Sequence, residues 1–452
     1  MEKQLPVIHD KVGKVFLNYV LPNILGMLAA TSAGIIDGIF LGQFVGSGAL
    51  SAVNIAIPFF SLSFGLVIML ATGGSVVCGK LLGQNNPKKA SSVFSQIFFS
   101  LLVFALLITT ICLLKIDLLV RLLGANAQIA QDVKSYLTIV LAFYPLMVPG
   151  FSLIFFAKVN GHPRLTSISL FVHAGVNIIL DWLLVGVFGF GIKGAAFATG
   201  IAESVFLLVL FPSFFSSNTI LVLAKPLHEI KTILHCSIKG FSQFLNESSS
   251  GVLILVFNMI LIKSQGVAGV AAFTIINYLF FIQIMICYSI TDAMMAPTSI
   301  NFGAGEFSRT LAFLKLSILV NLVFGVVFSF LLFFFPEVLI GIFLNNSQIE
   351  TYQTAITFSK IVWSAFTILG VNFTISAYFT AMHKPKQAVV ISTLRALFLP
   401  IPLAIVFSLL YSTKTIFYAF PIAEFTTFVI AIWMLAKTDF RANQKENSSA
   451  KS

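Results

Sequence analysis

Six carboxylic acids, Asp37, Asp181, Glu203, Glu247, Asp292 and Glu424, sit inside long apolar stretches of this sequence. A charge so placed costs roughly 2.5–3.5 kcal/mol on the insertion scale, so such acids need a compensating role. Asp37 lies about six residues before the far end of its apolar stretch and Asp181 about seven before the end of its own, while Thr199 follows the start of the next by about eight; at ~1.5 Å per residue the three share one depth. Asn177 and Asp181 are four apart and face the same way on a helix. Asp37, Asn177, Asp181 and Thr199 therefore gather two carboxylates, an amide and a hydroxyl. An all-oxygen set suits Na⁺, and two carboxylates crowded in a low dielectric can instead share a proton, so Na⁺ and H⁺ both remain open. A bland reading has Asn177 and Thr199 tying helices together and the acids pairing Lys or Arg. Against it, the intramembrane cations Lys360 and Arg395 both fall in the other half of the chain.

The remaining acids sort by position. Glu203 is one helical turn from Thr199 and can join its cluster. Glu247, in the first turns of its stretch, is a candidate second ion site or a site for a cationic substrate, and Asp292 and Glu424 are candidates to line a cavity in the second half. Arg395 is expected to pair with one of the acids of that half, and His173 to be a packed, hydrogen-bonded ring rather than a proton relay. In the first stretch, Ala30, Gly34, Gly38 and Gly42 recur every fourth residue, a stripe expected to let another helix approach beside Asp37. With Pro22, which can kink the same helix, Gly34 and Gly38 form a candidate hinge. An aromatic cavity of net negative charge, drawn from 49 Phe residues, would favour lipophilic cations.

These residues need elements that lipid can accept. Of 452 residues, 58% are hydrophobic and 10% charged, where soluble proteins carry about 25% charged. Mean hydropathy is +1.00. That balance excludes secreted, disordered and nucleic-acid-binding classes, and the net charge of +11 includes no block of five basic residues for an anionic polymer. Cys78, Cys112, Cys236 and Cys287 form no CxxC pair, and there is neither an HExxH nor a GxxxxGK[ST] run, so no enzyme, resident cofactor or ATP motor is expected.

Apolar stretches fall at 15–43, 49–80, 91–114, 133–157, 166–188, 191–215, 240–264, 267–300, 310–335, 352–382, 387–409 and 413–437. Each is long enough to span a bilayer, which takes about 20 residues. The first is too long for a signal-peptide core and is read as a retained helix. Lys and Arg on the side of the N-terminus outnumber those of the opposite loops roughly threefold, which puts both termini in the cytoplasm by the positive-inside rule.

The chain also repeats itself. Gly46–Ala52 is echoed by Gly266–Ala272, Leu82–Gln84 by Phe302–Ala304, and Asn126–Ile129 by Asn346–Ile349, each at an offset of 220, and Pro163–Arg164 by Pro385–Lys386 at 222. The expected fold is an all-α polytopic membrane protein. Its twelve transmembrane helices form two six-helix lobes related by a pseudo-two-fold axis along the membrane normal. The expected domains are an N-lobe at 1–215, a cytoplasmic linker at 216–239, a C-lobe at 240–437 and a tail at 438–452. At these offsets Asp37 aligns with Phe257, and Asn177 and Asp181 with Leu399 and Leu403, so the acidic site belongs to the first half alone.

Several runs resemble the MATE (multidrug and toxic compound extrusion) family, in particular its bacterial branches related to MepA and DinF. They are Ile35–Gly42, Ala71–Ser75 with Leu81–Ala90, and Asn177–Asp181 followed by Gly194–Thr199. The resemblance implies an inner-membrane secondary antiporter that expels drugs and other organic cations in exchange for Na⁺ or H⁺. It carries Asp37, Asn177, Asp181 and Thr199 over as the cation site, Tyr136 as a tyrosine lining that lobe, and Pro22 as a bending point. It matches Glu247 to an acid used in other branches, whose partner Asp is here Asn372. The expected partners are small organic cations and the bilayer, with no nucleic acid, and a monomer is expected. The alternative is a flippase for lipid-linked saccharides of the same superfamily, which requires an anion-friendly cavity.

Overall fold

The computed structural model describes residues 6–215, 219–227, 229–342, 349–410 and 413–438. Among the described residues, twelve helices are long and apolar enough to cross a bilayer: α1 (Val12–Val45), α2 (Gly48–Gly83), α3 (Pro87–Leu114), α4 (Ala130–Val159), α5 (Pro163–Val187), α6 (Gly191–Phe214), α7 (Ile230–Lys263), α8 (Gly269–Ala304), α9 (Phe307–Phe334), α10 (Ile349–Ala381), α11 (Pro385–Leu410) and α12 (Thr415–Ala436). Helices satisfy their backbone polar groups internally, as a chain surrounded by lipid must. The protein is thus an all-α multi-pass membrane protein of two six-helix halves. The expected tail lies, beyond Thr438, outside the described residues, as do Asn346, Ser347 and Gln348 of the repeat.

The duplication is visible in backbone detail. Short helices Ile116–Leu122 and Pro336–Gly341 precede α4 and α10. The α1–α2 turn passes through Gly46 with φ 110°, and the α7–α8 turn through Gly266 with φ 63°, backbone that a side chain would strain. These two glycines are one repeat offset apart.

Contacts divide the chain into two units, Met1–Gly240 with Ser299–Ala304, and Phe241–Thr298 with Gly305–Ser452. In the first unit the far end of α2 meets the last residues of α8 backbone on backbone. A Cβ at Gly83 would lie 2.0 Å from the Ile300 carbonyl oxygen, and one at Gly303 2.1 Å from that of Lys80. Gly73 and Gly240 meet the Cys236 and Met69 carbonyls just as closely. The extended segment 219–227 is stapled onto this unit: the Ile220 and Leu221 N–H groups donate to Asn160 Oδ1 at 3.0 and 2.8 Å, and Ala224 N–H donates to Ser95 Oγ at 2.8 Å. Helix α7 then begins at Ile230, earlier than the apolar run at 240 suggests. Its first turns carry Lys231, His235 and Lys239 at four-residue spacing, and this one polar stripe lowers the local hydropathy without stopping the helix.

The second unit is built around α10, which packs against α9, α11 and α12. Gly325 on α9 brings that helix against the Phe366 and Thr367 carbonyls of α10. Phe257, Phe273, Phe358, Phe366 and Phe417 fill its core.

The glycine stripe of α1 departs from expectation. A Cβ at Gly34 or Gly42 would meet nothing within 4 Å, and one at Gly38 only Leu50 at 4.0 Å. The close approach of α5 to α1 occurs instead at Gly26, beside Leu170 and the Ser167 carbonyl. Small residues permit close packing but do not compel it, and here the α5 contact is made earlier along α1. Pro22 lies inside α1 without ending it.

Gly83→Val and Gly303→Val are expected to destabilise the protein by about 1–3 kcal/mol or more through overpacking. Gly34→Ala should be near neutral or slightly stabilising. Thermal unfolding in detergent, followed by intrinsic fluorescence, separates the two classes.

Candidate functional site

Asp37 lies one turn before the end of the regular part of α1, which finishes in a π-helical turn, Leu41–Val45. Asp181 opens a second π-helical turn, Asp181–Val187, at the end of α5. Such wide turns relax the ordinary hydrogen-bond ladder and often mark functional positions. They bring the two carboxyl groups within hydrogen-bond reach of one another. Asp37 Oδ1 and both Asp181 oxygens are buried without a donor. Two adjacent carboxylates have only acceptors to offer each other, so a proton or a cation is what the pair lacks.

Tyr136 of α4 ties the rest together. Its hydroxyl is hydrogen-bonded to that of Thr199 on α6, and it lies in the field of Asp37, Asp181 and Glu203. Asn177 is buried one turn before Asp181 on the same face of α5. Glu203, a turn beyond Thr199, stands 3.3 Å from His173 Nε2, while the His173 ring stacks on Phe206 with centroids 4.8 Å apart. His173 is thus packed on Phe206, with Nε2 in ion-pair contact with Glu203 and Nδ1 buried without a partner. Behind Tyr136, Phe60, Ser63 and Phe64 of α2 face Tyr144, which hydrogen-bonds Ser63 and also lies in the field of Glu203. Sequence reasoning missed Tyr144, although its spacing of eight from Tyr136 puts both on one face of α4.

Among the described residues no three His, Cys, Asp or Glu side chains converge as a multivalent metal centre would need. The Asp37–Asp181 pair suits a singly charged cation.

The acids of the second unit are placed differently. Arg395 Nη2 is 3.1 Å from Glu424 Oε1, and Asn372 Nδ2 donates to Glu424 Oε2 at 2.7 Å. Arg395 sits in a third π-helical turn, Leu394–Phe398. Glu247 accepts a hydrogen bond from the Tyr288 hydroxyl. Glu247, Tyr288, Arg395 and Glu424 all line one cavity. Asp292, a turn beyond Tyr288, is half-buried and is not among the residues lining that cavity. Its position nearer the end of α8 carries it past the cavity.

Removing one charge from the acid pair should relieve it. Asp181→Asn, which gives Asp37 an amide donor, is expected to stabilise the protein by roughly 1–2 kcal/mol. Thermal unfolding of wild type and variant at alkaline pH tests this, and a variant melting below wild type contradicts the pair geometry.

The MatE family model matches the chain twice, over residues 22–183 and 241–406. The two stretches correspond to the two halves. The multidrug export protein MepA of Staphylococcus saprophyticus is 25% identical over 419 residues, covering 92% of this chain and 91% of that protein. A MATE crystallised in complex with MaL6 superposes with a TM-score of 0.89 at 19% identity, over 98% of this chain and 100% of that one. A MOP superfamily transporter from Pyrococcus furiosus, described as having a binding pocket of reverse polarity, gives 0.87 at 19% identity over 100% and 99%.

Proposed function

The chain belongs to the MatE family, and from that premise we propose that it is a secondary active antiporter of the inner membrane, with both termini cytoplasmic and acting as a monomer. It exports lipophilic organic cations in exchange for Na⁺ or H⁺ through alternating access of its two halves. The observation that carries this reading is the Asp37–Asp181 pair, three of whose oxygens are buried without a donor. The relatives named as multidrug export proteins supply the substrate class.

Asp37 and Asp181 take up the coupling cation, with Asn177 and Thr199 completing its oxygen shell and Tyr136 holding Thr199 in place. Loaded, the pair is relieved of mutual repulsion; unloaded, the two charges push apart. Helix α1 carries this difference. Pro22 gives it a weak point, and its bare face at Gly34 leaves room to shift. An entering organic cation competes for the same negative charge, to which Glu203 adds, so ion and substrate exclude one another and exchange follows. No resident cofactor is needed.

The flippase alternative needs positive charge available to a pyrophosphate. Arg395 is bonded to Glu424, and the first unit presents carboxylates, which favours a cation over an anion.

Asp37→Asn and Asp181→Asn are expected to reduce efflux of a cationic dye from proteoliposomes to the protein-free background while leaving the protein folded. An imposed Na⁺ gradient and, separately, a pH gradient identify the coupling ion. Undiminished efflux by both variants would refute the mechanism.

A further inference from the structure

Inside the second unit lies a cavity of about 320 Å³ whose lining includes Glu247 of α7, Tyr288 of α8, Phe373 of α10, Arg395 of α11 and Glu424 of α12. That is near the lower end for small-molecule pockets and gives room for a two-ring compound. Its polar wall carries two carboxylates and one guanidinium.

The guanidinium is a fixed charge. Arg395 Nη2 and Nε stand 3.1 and 3.2 Å from Glu424 Oε1. Its plane covers the Phe373 ring at 3.8 Å. The side chains of Arg395 and Glu424 are only 8% and 7% exposed. Glu424 is held in turn by the Asn372 amide, through its Oε2 and its backbone carbonyl. An ion pair buried this way is complete in itself and cancels as seen from the cavity. Breaking it would leave a buried charge facing the same space.

We propose that Arg395 sets the number of positive charges a ligand of this cavity can carry. With the guanidinium in place, the lining acids exceed the lining bases by one, which matches a monocation stacked on the aromatic wall. Without it they exceed by two, which matches a dication. The proposal rests on the export of organic cations for its choice of ligand class, but it concerns a site inside one unit and is tested by binding.

The test uses the full chain in lipid nanodiscs and two probes of the same two-ring outline, N-methylphenylpyridinium with one charge and dimethylbipyridinium with two, titrated by calorimetry. Wild type should prefer the monocation. Arg395→Gln should shift the affinity ratio toward the dication by about tenfold or more. Arg395→Lys should keep the wild-type ratio, and so should the double variant Arg395→Gln with Glu424→Gln, which removes both charges together. Glu424→Gln alone, leaving Arg395 against Glu247, should weaken the monocation by about tenfold. An unchanged ratio in Arg395→Gln overturns the proposal. If that variant does not fold, undiminished monocation binding by Glu424→Gln overturns it, as does binding of neither probe by wild type. Parallel efflux assays keep the premises apart: wild type that binds the monocation with the expected ratios but does not move it defeats the export reading alone.

Discussion

A carboxylate surrounded by protein and lipid needs a positive charge near it, and this chain meets that requirement in two opposite ways. In the second unit the charge is built in: Arg395 is bonded to Glu424 and laid over Phe373, and the pair is complete without help from outside. In the first unit it is left out. Asp37 and Asp181 face each other with acceptors only, and the described lysines and arginines make no ion pair with either. An ion that must come and go can be useful to a transporter only where the protein declines to supply its own. The asymmetry between two halves of common ancestry is therefore chemical, laid over a scaffold that remains shared.

That shared scaffold is carried by backbone rather than by side chains. Gly46 and Gly266 make the same kind of turn one repeat apart, and Gly83 and Gly303 present bare backbone at the same place in each half. Glycine survives at such positions because any side chain would strain the turn or clash with a carbonyl. Residues that only face lipid or solvent are free to diverge, which accounts for a repeat legible in four short runs and otherwise faint.

The spans were legible because lipid demands long apolar helices, a signal that needs no knowledge of tertiary contacts. The start of α7 was not, since Lys231, His235 and Lys239 stripe one face of a helix that continues beneath them. The meeting of Asp37 with Asp181 could be read from depth alone, whereas Thr199 is joined to them only through Tyr136. Tyr136 came from family resemblance, and its bond to Thr199 depends on the register of α4 against α6, which sequence does not encode locally. The π-helical turns at Asp181 and Arg395 left no sequence trace, because one extra residue in a turn changes neither composition nor periodicity enough to notice. The glycine stripe misled for the opposite reason: the spacing was real, but the partner helix was elsewhere. That Arg395 would find an acid was foreseeable from its cost in lipid; that the acid would be Glu424 required the packing of α11 on α12.

The closing of the first unit by residues 299–304 has a bearing on how the polypeptide is made. Gly79 and Gly83 are covered by Ser299, Ile300 and Gly303, so α2, among the earliest segments to leave the ribosome, must wait bare-backed until the eighth helix has been inserted. The amino-terminal half is accordingly incomplete in early synthesis, and that seam closes only after some two hundred further codons have been translated.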